Sequence, residues 1–504
     1  MNTLSTRERS FVIVSALLAL FLGALDALIM SAAMPTIVSE LGGLHLYAWV
    51  YSVYFLSRAV ALPIFGKLAD LYPSKNLFLF SISLFVISSI AAGLAQSMSF
   101  LIFCRVFQGI GAGGNFALVY IVLSEVAPPG QRAKTLSFAS SIWGISSVIG
   151  PTLGGFIVSY FSWRWIFFIN IPMGLASLAG ISLFLKETRA KTKGVAIDIK
   201  GLTLFSSFIL GLLIIFITGG RDLPWISAKM ALISLLTALL GFWFFLEEKR
   251  CRQPFINIDY FRNASFALGN GATFFSSFTI FAFFAYAPVY IQGGLGLSPM
   301  QVGIAMVSLS LGWSFGSLFL GRFTDHGGGK KGAVAGGLTL LSGSLLTLQF
   351  LTDTTMTECF LVFLVIGIGM GFVSLSTLLI VQNSVEKKDL GVATSLHQFG
   401  RSLGGTIGVG ISGGLATSGL LSNLEKAIDL FPAELVQRLG KSIEILLQPQ
   451  FSTFIPAEAQ IPLRQAVLDG VFSIFWVTVL SSLLCLCCCL FLPAGLPDVQ
   501  DSAE

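Results

Sequence analysis

The chain has 504 residues, 55% of them apolar and 11% charged, with a formal net charge of +5. Soluble domains carry roughly a quarter charged residues, so these charges are too few to cover a water-facing surface, and the apolar content excludes intrinsic disorder. The small net charge gives no basis for a nucleic-acid partner, and 53 glycines point to closely packed membrane helices.

A bilayer core takes about 20 mainly apolar residues per helix. Fourteen such stretches are predicted, starting near Phe11, Leu46, Leu77, Phe100, Ser137, Ile166, Leu202, Ile226, Ala264, Gln301, Ala333, Cys359, Gly391 and Val471. The first follows Arg7 and Arg9, runs to Ala33 and contains Asp26. It is longer than a signal-peptide core and is read as a retained helix. The second carries Arg58 and ends in Gly66-Lys-Leu-Ala-Asp70, followed by Lys75. The fourth carries Arg105 and Gln108 ahead of a glycine-rich run to Gly114, and the fifth carries Gly144, Gly150, Pro151, Gly154 and Gly155. The tenth ends in Gly321-Arg-Phe-Thr-Asp325, followed by Lys330 and Lys331. Gln292, Gln382 and His397 are further polar candidates in the second half. Four cysteines, Cys485 and Cys487 to Cys489, sit inside the last apolar run and match no zinc or disulfide spacing.

Lysine and arginine set the orientation. With a cytoplasmic N-terminus, 20 of the 30 basic residues fall on the N-terminal segment and the even-to-odd loops. Both termini are therefore expected in the cytoplasm. A long outer loop, 418–466, repeats Leu424, Ile428, Leu435, Leu439, Ile443 and Leu446 at three- and four-residue steps, an amphipathic helix signal.

The Gly-x-x-x-Asp loop occurs after the second and the tenth stretch, eight apart. A six-helix unit thus repeats with two helices between the copies. The expected fold is an all-α polytopic membrane protein of fourteen transmembrane helices, with parallel six-helix halves of the major facilitator type and a substrate site at their interface. The expected organisation is an N-terminal half at 1–186, a linker with two inserted helices at 187–263, a C-terminal half at 264–492 that includes the outer loop, and a cytoplasmic tail at 493–504. In each loop, Gly66 and Gly321 permit close approach of helix ends. Asp70 and Asp325 are placed to accept from a helix N-terminus or pair with Lys75 and Lys330, as a conformational latch.

With these residues in view, the chain resembles the major facilitator superfamily, and within it the fourteen-helix drug/proton antiporter branch. The resemblance rests on Leu25-Asp26 followed by Ala33-Met34-Pro35-Thr36-Ile37, and on Arg105-Val-Phe-Gln108-Gly109-Ile-Gly111-Ala-Gly113-Gly114. It rests also on Gly150-Pro151-Thr-Leu-Gly154-Gly155 and on Trp163-Arg164-Trp165 through Asn170-Ile171-Pro172. Three features depart from the family pattern: Leu71-Tyr72-Pro73-Ser74-Lys75 replaces a more basic loop, His326-Gly327-Gly328-Gly329 loosens the second copy, and Arg58 is unusual inside the second helix. The resemblance implies that Arg105 tunes a proton site with Gln108 as a hydrogen-bonding neighbour. It implies too that the fifth helix seals the inward path through Gly144, Gly150, Pro151, Gly154 and Gly155.

Ionisable residues at membrane depth are functional by default. At about 1.5 Å per residue, Asp26 and Arg105 lie at similar depth, roughly 9 Å below the outer ends of their helices, so they are expected to pair and to carry the coupling proton. Arg58 is a cavity candidate, and its excess positive charge favours neutral, zwitterionic or anionic substrates over dications. Enzyme chemistry finds no foothold: there is no Gly-x-x-x-x-Gly-Lys-Ser/Thr loop, and three scattered histidines form no metal set. The expected function is a proton-coupled antiporter in the cell (inner) membrane that exports small amphipathic molecules by alternating access. It would need no cofactor beyond the proton gradient and would act as a monomer in the bilayer, with room for an accessory periplasmic partner. The rivals are a dedicated exporter of a siderophore or lipid-like metabolite, and a non-transporting receptor or scaffold.

Overall fold

The computed structural model describes residues 5–493 apart from 42–46, 129, 187–197, 220–222, 252, 253, 255, 257, 298, 323–328, 352, 387, 388 and 426–456. Among the described residues the fold is helical, without named strands. In chain order the helices are α1 (Thr6–Leu41), α2 (Tyr47–Leu71), α3 (Ser74–Gly93), α4 (Met98–Val126), α5 (Arg132–Tyr160) and α6 (Trp165–Phe184, interrupted at Ile169). Next come α7 (Ile199–Thr218) and α8 (Ala228–Arg250). The remainder are α9 (Ala264–Pro288), α10 (Pro299–Gly321), α11 (Gly329–Leu346), α12 (Met356–Asn383), α13 (Leu390–Glu425) and α14 (Ala457–Leu490). Among the described residues, ten helices are long and apolar enough to cross a membrane.

Local chemistry starts several of these helices. Ser97 accepts from the Phe100 N–H at 3.3 Å, Ser227 from Met230 at 3.2 Å and Asn263 from Ser265 at 2.9 Å. Each satisfies a backbone donor that the first turn leaves unpaired. Thr355 and Glu358 form a full capping box at the start of α12. Pro288 ends α9, and a π-turn over Val289–Gly294 follows it.

Two large apolar cores form, the first of them joined by Leu375, Leu378 and Leu379 of α12. Val12, Leu62, Phe78, Phe116 and Ile181 belong to the first, while Ile280, Phe283, Leu309, Phe363 and Phe475 belong to the second. Glycines let α4 sink into its neighbours. A methyl group at Gly113 would lie 2.6 Å from the Arg58 carbonyl oxygen of α2, and one at Gly111 would lie 2.7 Å from the Phe85 nitrogen of α3. Both distances are shorter than a real side chain tolerates, so the Arg105–Gly114 segment is a packing surface as well as a carrier of polar groups.

The halves meet along two main seams, α5 against α10 and α2 against α13. The α7/α8 pair docks beside the second seam, where Phe205 packs against Phe399 with ring centroids 5.5 Å apart. Leu232, Leu235, Leu236, Leu239, Phe242 and Trp243 on α8 are exposed, a surface suited to lipid. The outer-loop helix expected around Leu424–Leu446 falls almost wholly outside the described residues.

Candidate coupling and substrate site

The midplane of the first half holds a closed polar network. The Arg105 Nη1 donates to Asp26 Oδ2 at 2.6 Å and to Gln108 Oε1 at 2.7 Å. The Gln108 Nε2 donates to Asp26 Oδ1 at 2.8 Å and to Ser89 Oγ at 3.2 Å. Asn170 Nδ2 also donates to Ser89 Oγ, at 2.9 Å. Arg105 and Gln108 stand three residues apart and so share one face of α4. Asp26 and Arg105 are each 1% exposed, so neither charge is solvated and each depends on the other. Such a pair is costly to bury and strongly destabilising to break. The Arg105 guanidinium also lies 4.1 Å over the Tyr54 ring of α2, and the Tyr54 hydroxyl donates to the Gly23 carbonyl of α1 at 3.1 Å.

On the far side of Tyr54 lies Arg58, with the Tyr54 phenol beside it. Arg58 is 6% exposed, and its guanidinium sits 4.5 Å from the Phe116 ring, 5.3 Å from Phe55 and 5.9 Å from Trp143. Trp143 of α5 stacks on Trp313 of α10 across the seam, with centroids 6.5 Å apart and planes 4° from parallel. Beyond Trp313 is Arg401 of α13, whose two Nη atoms each reach the Tyr120 hydroxyl of α4 at 3.4 Å. Sequence reasoning gave Arg401 no role, and it passed over Trp143 and Trp313. The only signal for Arg401 was a basic residue at membrane depth.

His397 lies in the second half, where its Nε2 is 2.7 Å from Thr273 Oγ1 and 3.0 Å from Thr377 Oγ1. Gln382 of α12 bonds to side chains of α4, α5 and α13. Its Oε1 accepts from Arg132 Nη2 at 2.7 Å, and its Nε2 donates to Thr394 Oγ1 at 2.9 Å and to Ser124 Oγ at 3.0 Å. Arg132 Nη1 also donates to Asn383 Oδ1 at 3.1 Å. The side chain of Gln292 lies outside the described residues.

The same face, where α1 begins, carries the Asp70 contact. Its Oδ1 accepts the Gly391 N–H and its Oδ2 the Val392 N–H, each at 2.8 Å. The aspartate of the first half therefore binds the N-terminus of α13 in the second, where backbone donors and the helix dipole favour an anion. Gly66, one turn earlier, packs directly on Ser395. Gly321 plays the corresponding part after α10: a methyl there would meet Ser137 Oγ at 2.9 Å. Asp325 lies outside the described residues, while Lys75 and Lys330 occupy the first turns of α3 and α11.

The fifth-helix glycines divide their contacts. Gly144 packs on Ser314 of α10, across the halves, whereas Gly150 meets Leu28 of α1 within its own half. Gly154 is buried, and Gly155 and Pro151 lie on the same helix. At the opposite face, Glu40 accepts from Trp163 Nε1 at 2.6 Å and from Arg164 Nη1 at 2.5 Å. The Arg164 and Trp163 donors hold the Glu40 carboxyl below the usual carboxylate range.

Comparison with known proteins agrees with this architecture. The family model described as Major Facilitator Superfamily matches residues 16–409. The "Multidrug transporter protein MdtP" of Bacillus subtilis is 32% identical over 491 residues, covering 93% of this chain and 90% of that protein. The "Multidrug efflux pump SdrM" of Staphylococcus aureus is 31% identical over 412 residues, covering 81% of this chain and 90% of that protein. The crystal structure of the human organic anion transporter MFSD10 (TETRAN) aligns with a TM-score of 0.59 at 14% identity, over 95% of this chain and 99% of that one. At that identity the likeness speaks for the fold alone.

Proposed function

Because the chain belongs to the Major Facilitator Superfamily, a family of multi-pass membrane transporters and not enzymes, we propose that it exports small amphipathic molecules in exchange for protons, by alternating access. In this reading α2, α5, α7 and α13 cross the bilayer with the ten strongly apolar helices, giving fourteen spans, two six-helix halves and an α7/α8 insert. The face where α1 begins is then cytoplasmic, as the basic residues favour.

The observation that carries the proposal is the buried Asp26–Arg105–Gln108 network. Protonation of Asp26 removes the charge that Arg105 faces and leaves Gln108 with a weaker acceptor. The freed guanidinium lies against Tyr54, whose phenol also neighbours Arg58. Proton uptake at Asp26 is thereby felt on α2, the helix that ends in the Asp70 contact. Release of that contact and of Arg132 from Gln382 and Asn383 would let the cytoplasmic ends part, so that the halves rock about the α5–α10 seam. Multidrug relatives at about 30% identity support drug-like cargo.

Proteoliposomes with an imposed pH gradient test the proposal. A panel of neutral, cationic and anionic aromatic amphipaths should include compounds accumulated against their gradients, with the accumulation collapsing on addition of a proton ionophore. Equal levels inside and outside for every compound, with correctly inserted protein, would overturn it.

A further inference from the structure

We infer that the interface between the halves, when it opens, takes an amphipathic organic monoanion, an aromatic body bearing one carboxylate or sulfonate, with Arg58 and Arg401 as its anion clamp and Trp143 and Trp313 as its aromatic wall. This rests on the export reading for the path the molecule follows, but its chemistry stands on donors that the protein leaves unsatisfied.

Arg58 Nη1 is buried and has no hydrogen-bond partner among the described residues. Its ring contacts satisfy the cation's field only in part, because an aromatic face offers no lone pair to an N–H. The Tyr54 phenol serves another part of the guanidinium, and buried charged groups are ordinarily paired or fully hydrogen-bonded, so Nη1 is the donor still in need of an acceptor. Among the described residues, the hydrogen bonds of Arg401, 5% exposed, are the two long ones to the Tyr120 hydroxyl. The Nε1 atoms of Trp143 and Trp313 are likewise buried without acceptors. Four donor groups, two of them charged, thus flank one seam.

The carboxylates are committed elsewhere. Among the described residues, the buried acidic side chains are Asp26, Asp70 and Glu248. Asp26 holds Arg105, Asp70 holds the start of α13, and Glu248 accepts from the Ile256 N–H at 3.1 Å beside the insert. A cationic cargo would meet two guanidinium groups without a counter-charge, whereas an anion would bring the missing acceptor. A guanidinium binds a planar carboxylate through paired N–H bonds, and the stacked indoles match an aromatic body. Charge balance agrees: an exported monoanion and each incoming proton move charge in the same sense, so an inside-negative potential drives both.

Equilibrium binding to the purified full chain tests the inference with 1-naphthaleneacetate, its neutral isostere 1-naphthaleneacetamide and the cation 1-naphthylmethylammonium. The acid should bind at least about tenfold more tightly than the amide, since a hydrogen bond to a charged group contributes about that factor or more, and the ammonium should bind least. R58Q and R401Q should each remove most of this preference, with the melting temperature and elution profile of each variant reporting on folding. R58K should keep part of the preference. Equal binding of the three compounds, tighter binding of the ammonium, or an unchanged acid preference in both glutamine variants overturns the inference. Binding requires no gradient, so its outcome is separate from that of the export reading: acid bound but not moved by a pH gradient would sink export alone, and uphill transport of the ammonium in preference to the acid would sink the anion clamp alone.

Discussion

Asp70 at the end of α2 accepts the backbone N–H of Gly391 in the first turn of α13, at 2.8 Å. With the neighbouring bond from Val392, this contact ties the first half of the molecule to the second by one carboxylate. In Asp70→Asn the acceptor loses its charge and one of its two accepting oxygens. A charge-assisted bond contributes about 1.5–3 kcal/mol, so the closed arrangement should lose roughly tenfold or more in population. A Ser395→Cys thiol beside Gly66 should then react with a maleimide reagent several times faster in the Asp70→Asn background than with Asp70 present. Equal labelling rates would show that the contact does not hold this face shut.

The Asp26 network makes a separable prediction. Asp26→Asn retains a hydrogen-bonding side chain of similar size but cannot release a proton. Transport driven by a pH gradient should fall to background, while exchange of labelled for unlabelled substrate at equal pH on both sides persists. Arg105→Ala is a different lesion, because it leaves a buried carboxylate unpaired at a cost of about 3–5 kcal/mol. That variant should lower the melting temperature and the yield as well as transport. Full gradient-driven activity in Asp26→Asn would remove Asp26 from the coupling step.

What the sequence revealed and what it concealed follow from the same physics. Asp26 and Arg105 were legible because charges are scarce at membrane depth, and counting residues from the helix ends brought them to one level. The Gly66–Asp70 loop was legible because it recurs after the tenth helix. Depth, however, does not specify azimuth: Gln382 and Arg58 were named alike as polar candidates, and only the fold shows that Gln382 bonds Arg132 while Arg58 lies over the Phe116 ring. Arg401 could be given no role until α13 was seen against α2.

At the opposite face, Glu40 should leave a pH signature. Its pKa is lowered in the fold, by Arg164 first and Trp163 second. A depressed carboxyl contributes stability that is present above its unfolded value and is lost as pH falls through the folded one. The difference in melting temperature between the parent chain and Glu40→Gln should accordingly persist from neutral pH down to the usual carboxylate range and shrink below it. The exposure of Glu40 keeps the effect small and sensitive to salt. A difference that stays constant into strong acid would mean that the ionised carboxyl contributes nothing to the tie between α1 and the Trp163–Arg164 segment.

The seams set the last prediction, because they must close without side chains in the way. A β-carbon at Gly66 would overlap Ser395 Oγ, and one at Gly144 would press on Ser314 Oγ across the α5–α10 seam. Overpacking of this kind typically costs about 1–3 kcal/mol, and here it falls on contacts between the halves. Gly66→Val and Gly144→Leu should therefore lower transport tenfold or more at normal membrane abundance, with the Gly66→Val protein labelled faster at residues of the α2–α13 seam. Gly303 supplies the control, since a methyl group there meets nothing within 4 Å, and Gly303→Ala should transport as the parent does. Two glycines on different seams that fail alike, beside an open glycine that does not, would tie transport to closure of the halves. Normal transport by Gly66→Val would instead mean that the cycle does not require the α2–α13 contact.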